Sequence, residues 1–452
     1  MSEQVSYREL LQRWPLMLAT LLLLFGWLFG ASFVVYAGFS MGAVFFINRY
    51  LAKRWAESVW LVRNLLANEI ETGQSVQVGV MIRNAGRLSI PWLLVEDVIS
   101  RRATHRPPKG LAVEGSPIRL VMLSPGKQLL LSYKLKAVRR GYYQIGPSVV
   151  ETGDLFGLHR KYRVATQPQY LLVLPKLIPL VGYEIGSRRP IGEIRVSYRS
   201  MEDPTLMAGI RDYQVGDSLN RIHWRATARV GKLQTKVFQP TTMAGATLVL
   251  DMHSKSNPIQ HEPVRTDLAV TAAASIAHAI YHMQQPFGIV SNGRDAADRI
   301  RREGWETDFR SRDAAQESMK DDRDESRLRP VILNADRGPE HFQNVYRTLA
   351  RLERSDGLEL SDLLLETQSR LRRDVSIVVI LQTLDDRNAL ALGLIARQGY
   401  SVTAIINTFE ETDVQAIAGK LATYHIRSQH LRDEASISYI CQHTLFGVAA
   451  RA

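Results

Sequence analysis

The residues best suited to chemistry crowd into one stretch, IRDYQVGDSLNRIHWRATARVGKLQTKVF, from Ile210 to Phe238. Arg211, Asp212, Tyr213, Gly216, Asp217, Arg221, His223, Trp224 and Arg229 fall there within about twenty positions. Tyr213 and Trp224 supply flat surfaces and the arginines supply forked donors, the types enriched where proteins grip one another. Gly216-Asp217 reads as a turn. A second reading stays open, in which Asp217 caps the turn, Trp224 packs, and Arg221 and Arg225 pair with the carboxylates. Further along, His278 and His282 stand at i and i+4 on an alanine-rich helix, a spacing compatible with one metal. No glutamate follows His278 as in HExxH and no third ligand is evident, so the pair reads as structural. There is no GxxxxGK[ST] phosphate loop, no GxSxG elbow, and no GxGxxG after a strand. An enzymatic reading therefore has no anchor.

The elements that must position these residues begin with a membrane segment. From Trp14 to Asn48 no residue is charged, a run of about 35 positions where about 20 suffice for one span. One helix of that length would reach about 50 Å, far beyond a hydrocarbon core of about 30 Å. Two short helices joined at Gly30, Ala31 and Ser32 fit better, with arms Leu16 to Phe29 and Phe33 to Ile47. A cleaved signal peptide would need a shorter apolar core. Arg8 and Arg13 precede the run and Arg49, Lys53 and Arg54 follow it, so both ends are expected on the cytoplasmic side of the membrane. The mean hydropathy of −0.12 conceals this hairpin because the long polar-surfaced body outweighs it.

Past residue 54 the pattern changes to short alternating runs broken by turns, such as SVQVGVMIRN (Ser75 to Asn84). About seven strands without a helix predict an immunoglobulin-like β-sandwich over 55–176. Its many Lys and Arg read as a solvated surface beside an anionic leaflet, each adding about 1 kcal/mol of lipid attraction. The sharper alternative is a docking face for an acidic partner. Residues 177–244 hold the arginine-rich segment, and from 245 to 452 strands alternate with helices. ATLVLD, FGIVSNG, SIVVILQTL and SVTAIIN predict four buried strands of a mostly parallel sheet. Arg299 to Arg329 carries about eighteen charged residues and few large apolar ones, and is expected to be a mobile loop. A single cysteine, Cys441, excludes an internal disulfide and points to a reducing compartment. The formal charge of +12 admits nucleic acid, but lipid proximity accounts for it more simply, and no nucleic-acid partner is expected.

Three stretches together resemble a known bacterial family. Asp203-Pro204, Arg211-Asp212-Tyr213, Gly216-Asp217, Arg221-Ile222-His223-Trp224, Thr227-Ala228-Arg229 and Leu233 are similar to the signature of the family called domain of unknown function fifty-eight. Arg140-Gly141-Tyr142 through Gly146-Pro147 and Asp154-Leu155-Phe156-Gly157-Leu158 match it too, with Leu155 in place of the usual proline. The resemblance implies a C-terminal von Willebrand factor A-like domain of Rossmann type. It also implies a membrane-anchored scaffold or adaptor that works with a MoxR-type AAA+ ATPase in assembling or maturing other complexes. No catalytic activity comes with it.

Domains of that A-like type often hold Mg²⁺ after the first strand through Asp-x-Ser-x-Ser, a spacing that points three oxygens one way. Here Asp251 is followed by His253 and Lys255 in the serine positions, and an ammonium donates no lone pair. Ser254 and Ser256 lie one step out of phase, so Asp251, Ser254 and Ser256 form only a degenerate candidate metal site and no cofactor is expected. A Mg²⁺-dependent ligand-binding or adhesion protein is the alternative function. Asp385 and Asp386 are read as a cap for the following helix rather than as a distal ligand.

Overall fold

The computed structural model describes residues 14, 17–104, 109–154, 159–180, 201–214, 221–241, 245–303, 328–372 and 375–440. The chain divides into two compact units, Met1–Leu174 with Ala297–Arg323, and Pro175–Ala296 with Asp324–Ala452.

In the first unit, apolar helices over Met17–Leu28 and Ser32–Ser58 meet at a turn where Gly30 takes a φ of +64°. The N–H of Ala31 closes that turn on the carbonyl of Gly26 at 3.0 Å. Small residues let the arms approach. A Cβ on Gly26 would meet Val35 at 2.7 Å, and one on Gly38 would meet Leu23 at 2.9 Å. The turn lies where the sequence places it, but the two arms are unequal. The first is about 18 Å long, whereas the second runs 27 residues, or about 40 Å. The second arm outlasts its uncharged stretch because its last turns pack on the following domain: Ala52, Trp55 and Ala56 are buried, and the Phe45 ring meets His159 at 4.5 Å. Among the described residues, only Ser32–Ser58 is long and apolar enough to cross a bilayer, by length and composition.

A β-sandwich follows: β1 Val59–Leu65, β2 Glu69–Glu71, β3 Ser75–Asn84, β4 Ile90–Ile99, β5 Leu111–Glu114, β6 Ile118–Leu123, β7 Gln128–Ala137, β8 Gly141–Gly153, β9 Arg160–Val164 and β10 Gln169–Leu174. One sheet has the order β1-β3-β7-β5 and the other β2-β10-β8-β4-β6, with β9 paired to β8. Strand β3 shows why they face each other: Val76, Val78, Val80 and Ile82 all turn inward, Val80 and Ile82 joining Ile90, Leu93 and Val95 of the second sheet, and Val76 and Val78 joining Ile145, Leu171 and Val173. Strands outnumber the expected seven because β2, β5 and β9 have only three to five residues, too few to show an alternation. A short helix, Arg101–Thr104, also interrupts the expected all-strand pattern.

Between the sheets lies an ion pair that composition does not reveal. Arg63 on β1 and Asp97 on β4 have side chains 1% and 0% exposed. The Arg63 Nε donates to both Asp97 oxygens, at 3.1 and 3.0 Å, and an Nη group pairs with Asp97 as well. Its remaining donors reach the carbonyls of Ile145 and Gln167 and the hydroxyls of Ser148 and Thr166. Tyr133 on β7 donates to Asp97 at 2.6 Å, and burial followed by the neighbouring carboxylate pushes its phenol well above the ordinary value.

In the second unit, β11 (Met201–Asp212) and β12 (Gln234–Thr241) form an antiparallel ribbon. The main sheet comprises β13 Ala246–Leu250, β14 Phe287–Ser291, β16 Val331–Asp336, β18 Ser376–Leu381, β19 Val402–Ile406 and β20 Arg427–His430, while β15 (Arg294–Asp295) and β17 (Leu352–Glu353) pair separately. The order is β16-β14-β13-β18-β19-β20, parallel except for β16. Counted along the sheet this is 3-2-1-4-5-6, a doubly wound α/β arrangement. Every residue of β13, β14 and β19 is buried, as helical layers on both faces require. Helices Leu360–Thr367, Asp386–Arg397 and Glu411–Ala422 share a core with the sheet, and Val264–His282 packs on β13, β14 and β18. Strands β16 and β20 are additional to the four expected. Both lie at sheet edges and carry polar residues, so neither reads as a buried strand. The charged stretch from Arg299 opens inside a helix, Ala296–Glu303, and its part over 304–327 lies outside the described residues.

Replacing Arg63 by Met strands the Asp97 carboxylate between two sheets, and is expected to lower stability by about 3–5 kcal/mol in urea titration of the detergent-solubilised protein. A loss below about 1 kcal/mol would mean that the pair behaves like a solvated surface bridge.

Candidate functional site

Strands β11 and β12 hold the two ends of the arginine-rich segment in register, Arg211 opposite Thr235 and Asp212 opposite Gln234. Tyr213 N–H donates to the Leu233 carbonyl at 2.9 Å, and His223 N–H to that of Gln234 at 2.8 Å, so the excursion between them is tied at its base. Within it, Trp224–Val230 forms a two-turn helix. Its N-cap is His223, whose Nδ1 accepts from Ala226 N–H at 3.0 Å, and its end is Gly231 at a φ of 73°. Thr227 Oγ1 accepts from Gln234 N–H at 3.1 Å and seats the helix on β12. Gly216 and Asp217 lie outside the described residues.

This brings most of the predicted site residues onto one excursion and answers part of the internal reading. Trp224 does not pack; it is 69% exposed, beside exposed Val230 and Leu233. Asp212 accepts from the Gln234 side chain, and Arg211 donates to the Asp212 carbonyl at 3.1 Å. Among the described residues Arg225 and Arg229 make no ion pair, and both are exposed. No buried residue lies in this helix. Among the described residues the arrangement is a solvent-facing aromatic and cationic surface.

The other candidate sits at the carboxyl end of β13, beside the point where the strand order reverses. Asp251 is buried, and its Oδ1 accepts from His253 N–H at 3.1 Å and from Asn292 Nδ2 at 2.9 Å. Its Oδ2 is buried without a hydrogen bond of good geometry, although Ser256 approaches the carboxyl. Burial pushes this carboxyl up, opposed by Asn292, the His253 amide and Ser256. The out-of-phase Ser256 thus comes in because the loop is a run of turns, while Ser254 is engaged through its backbone with the Ser355 carbonyl at 2.8 Å. Lys255 turns outward to Glu359 at 2.8 Å, and Arg387 holds Glu359 and Asp362 from the other side. An amide N–H aimed at the carboxylate, and no cluster of three His, Cys, Asp or Glu among the described residues, make a donor set that does not fit a hard divalent cation. Asn292, Glu359 and Arg387 were not foreseen here; only the position of Asn292 at the end of a buried strand hints at it. Asp385 caps the next helix, accepting from Asn388 N–H at 2.8 Å, as its position suggests.

The two shorter motif stretches prove to hold structural roles. Gly146 leaves room for the Arg63 guanidinium, which an added Cβ would strike. Asp154 closes its loop by accepting from His159 N–H at 2.7 Å, although residues 155–158 lie outside the described set.

A family model described as "Protein of unknown function DUF58" matches residues 209–310, from the end of β11 through the ribbon, β13 and β14. Residues 209–310 are thus similar to the DUF58 family. The matched segment includes both the exposed Trp224 helix and the Asp251 loop. A curated relative, the uncharacterized protein YeaD of Bacillus subtilis (strain 168), is 25% identical over 266 residues, or 58% of this chain. The matched part spans 60% of that relative's length. Among solved structures, the CARDB domain of the PF1109 protein from Pyrococcus furiosus aligns at 12% identity and a TM-score of 0.18, covering 25% of this chain and 91% of its own. Proximal thread matrix protein 1 of the mussel byssus aligns at 11% identity and a TM-score of 0.28, covering 45% and 47%.

Because folding raises the Asp251 pKa, the native state binds this proton more tightly than the unfolded chain, and stability falls as pH rises above the unfolded carboxyl value of about 4. Asp251→Asn removes that dependence. Its stability relative to the parent should increase between pH 4 and pH 7 in thermal melts, and Mg²⁺ should leave both melting temperatures unchanged. A relative stability that does not move with pH would mean that Asp251 titrates normally.

Proposed function

We propose that this protein is a non-enzymatic adaptor anchored in the bacterial inner membrane, with a cytoplasmic body that engages a MoxR-type AAA+ ATPase. It would serve that ATPase in the assembly or maturation of other complexes. The observation that carries this reading is Trp224, largely exposed at the start of a capped helix that also carries Arg225 and Arg229, which make no ion pair among the described residues. An exposed tryptophan flanked by arginines has the composition of an interface anchor rather than of an active site. The A-like identity of the C-terminal domain is supported by the 3-2-1-4-5-6 order with one antiparallel edge. The immunoglobulin-like identity of the sandwich is supported by two facing, mostly antiparallel sheets. The apolar Ser32–Ser58 helix supports the anchor, and the basic residues Arg49, Lys53 and Arg54 on its body side support a cytoplasmic orientation of the body. Anionic lipid is the partner proposed for the basic sandwich surface.

The test is affinity purification of the full chain from detergent extracts. An AAA+ ATPase should co-purify with the parent, and Trp224→Ala should weaken its binding by about 2 kcal/mol or more, on the order of thirtyfold. Recovery of intact membrane protein with no AAA+ protein would overturn the reading.

A further inference from the structure

The histidine pair that reads as structural in the sequence has a geometry with a chemical consequence. His278 and His282 project from consecutive turns near the end of the helix Val264–His282, with ring centroids 4.3 Å apart and planes at 83°. Their Nε2 atoms lie 3.0 Å apart. Two imidazoles bound to one ion at about 2.0–2.1 Å, in neighbouring coordination positions, place their nitrogens about 3 Å apart. The two nitrogens, which share one hydrogen bond, are therefore already spaced as in a chelate, and an ion would displace the shared proton.

The surroundings hold the pair in place. His278 lies against Phe342 at 5.5 Å, and Tyr281 stacks on the same ring at 5.0 Å, which limits rotation of the helix face. The last turn of a helix carries partial negative charge, favourable to a bound cation. His341, on the adjacent helix Pro339–Arg351, is committed elsewhere, with Nε2 2.6 Å from the Phe287 carbonyl. Among the described residues no third His, Cys, Asp or Glu joins the pair.

We propose that His278 and His282 form a two-imidazole site for a late first-row divalent metal ion, with water in the remaining positions. Imidazole donors select Ni²⁺, Cu²⁺ or Zn²⁺ over Mg²⁺, so this site is chemically distinct from any hard-cation site at Asp251. It occupies a different end of the chain of events in the fold: the helix C-terminus rather than the carboxyl edge of the sheet.

Untagged full-length protein in detergent, stripped with a chelator, is titrated calorimetrically with Ni²⁺ and separately with Mg²⁺. The parent and a His261→Gln control should each bind a single equivalent of Ni²⁺, and neither should respond to Mg²⁺. His282→Gln, at an exposed position that leaves the core untouched, should lose that binding, as should His278→Gln if its melting temperature in chelator matches the parent. Absence of Ni²⁺ binding by the parent overturns the proposal, as does an unchanged titration of His282→Gln.

Discussion

The sandwich depends on the burial of Arg63 against Asp97. Two charges removed from water are costly unless almost every donor and acceptor is used. Here the guanidinium reaches the carboxylate, two carbonyls and two hydroxyls, and Asp97 also accepts from Ser148 and Tyr133. The partners come from β1 and β7 of one sheet and β4 and β8 of the other, so the network permits only one registration of the sheets. Strand β1 starts at Val59, immediately after the apolar helix ends at Ser58. The anchor and the network are thus joined through a single short strand. Gly146, part of a stretch that resembles the family signature, supplies the space the guanidinium occupies. That motif is explained by packing.

Local features were legible in the sequence, and long-range ones were not. The turn at Gly30 follows from a run too long for one span, and β3 follows from its alternation. The inequality of the two apolar arms does not, because the last turns of the second are helical owing to contacts with the sandwich at Phe45 and Trp55. The Arg63–Asp97 pair joins residues 34 apart, each resembling an ordinary polar residue on a half-buried strand. Edge strands β16 and β20 were missed because an edge needs no continuous apolar run.

The two candidate sites invert what their residue types suggest. At the carboxyl end of the sheet, where doubly wound folds commonly take ligands, Asp251 is enclosed by an amide and a backbone N–H, and the lysine of its loop is drawn outward by Glu359. Period-two counting put Ser256 out of reach, yet that counting applies only to extended chain, and this loop turns. On the ribbon, Trp224, Arg225 and Arg229 stay at the surface. His223 supplies the cap expected of an Asp or Ser, Gln234 takes the Asp212 carboxylate, and arginines of the helix are left facing solvent.

That arrangement has an energetic meaning. A tryptophan left in water forgoes about 2 kcal/mol or more of burial, and nothing in a two-turn helix with no buried residue recovers it. The helix is retained instead by its ends: a histidine cap, a left-handed glycine and a threonine hydroxyl on β12. Local hydrogen bonds thus fix the shape while the large side chains contribute little to stability. A surface built this way can lose Trp224 or Arg225 with small effect on folding, so an effect of either substitution on complex formation reports on binding.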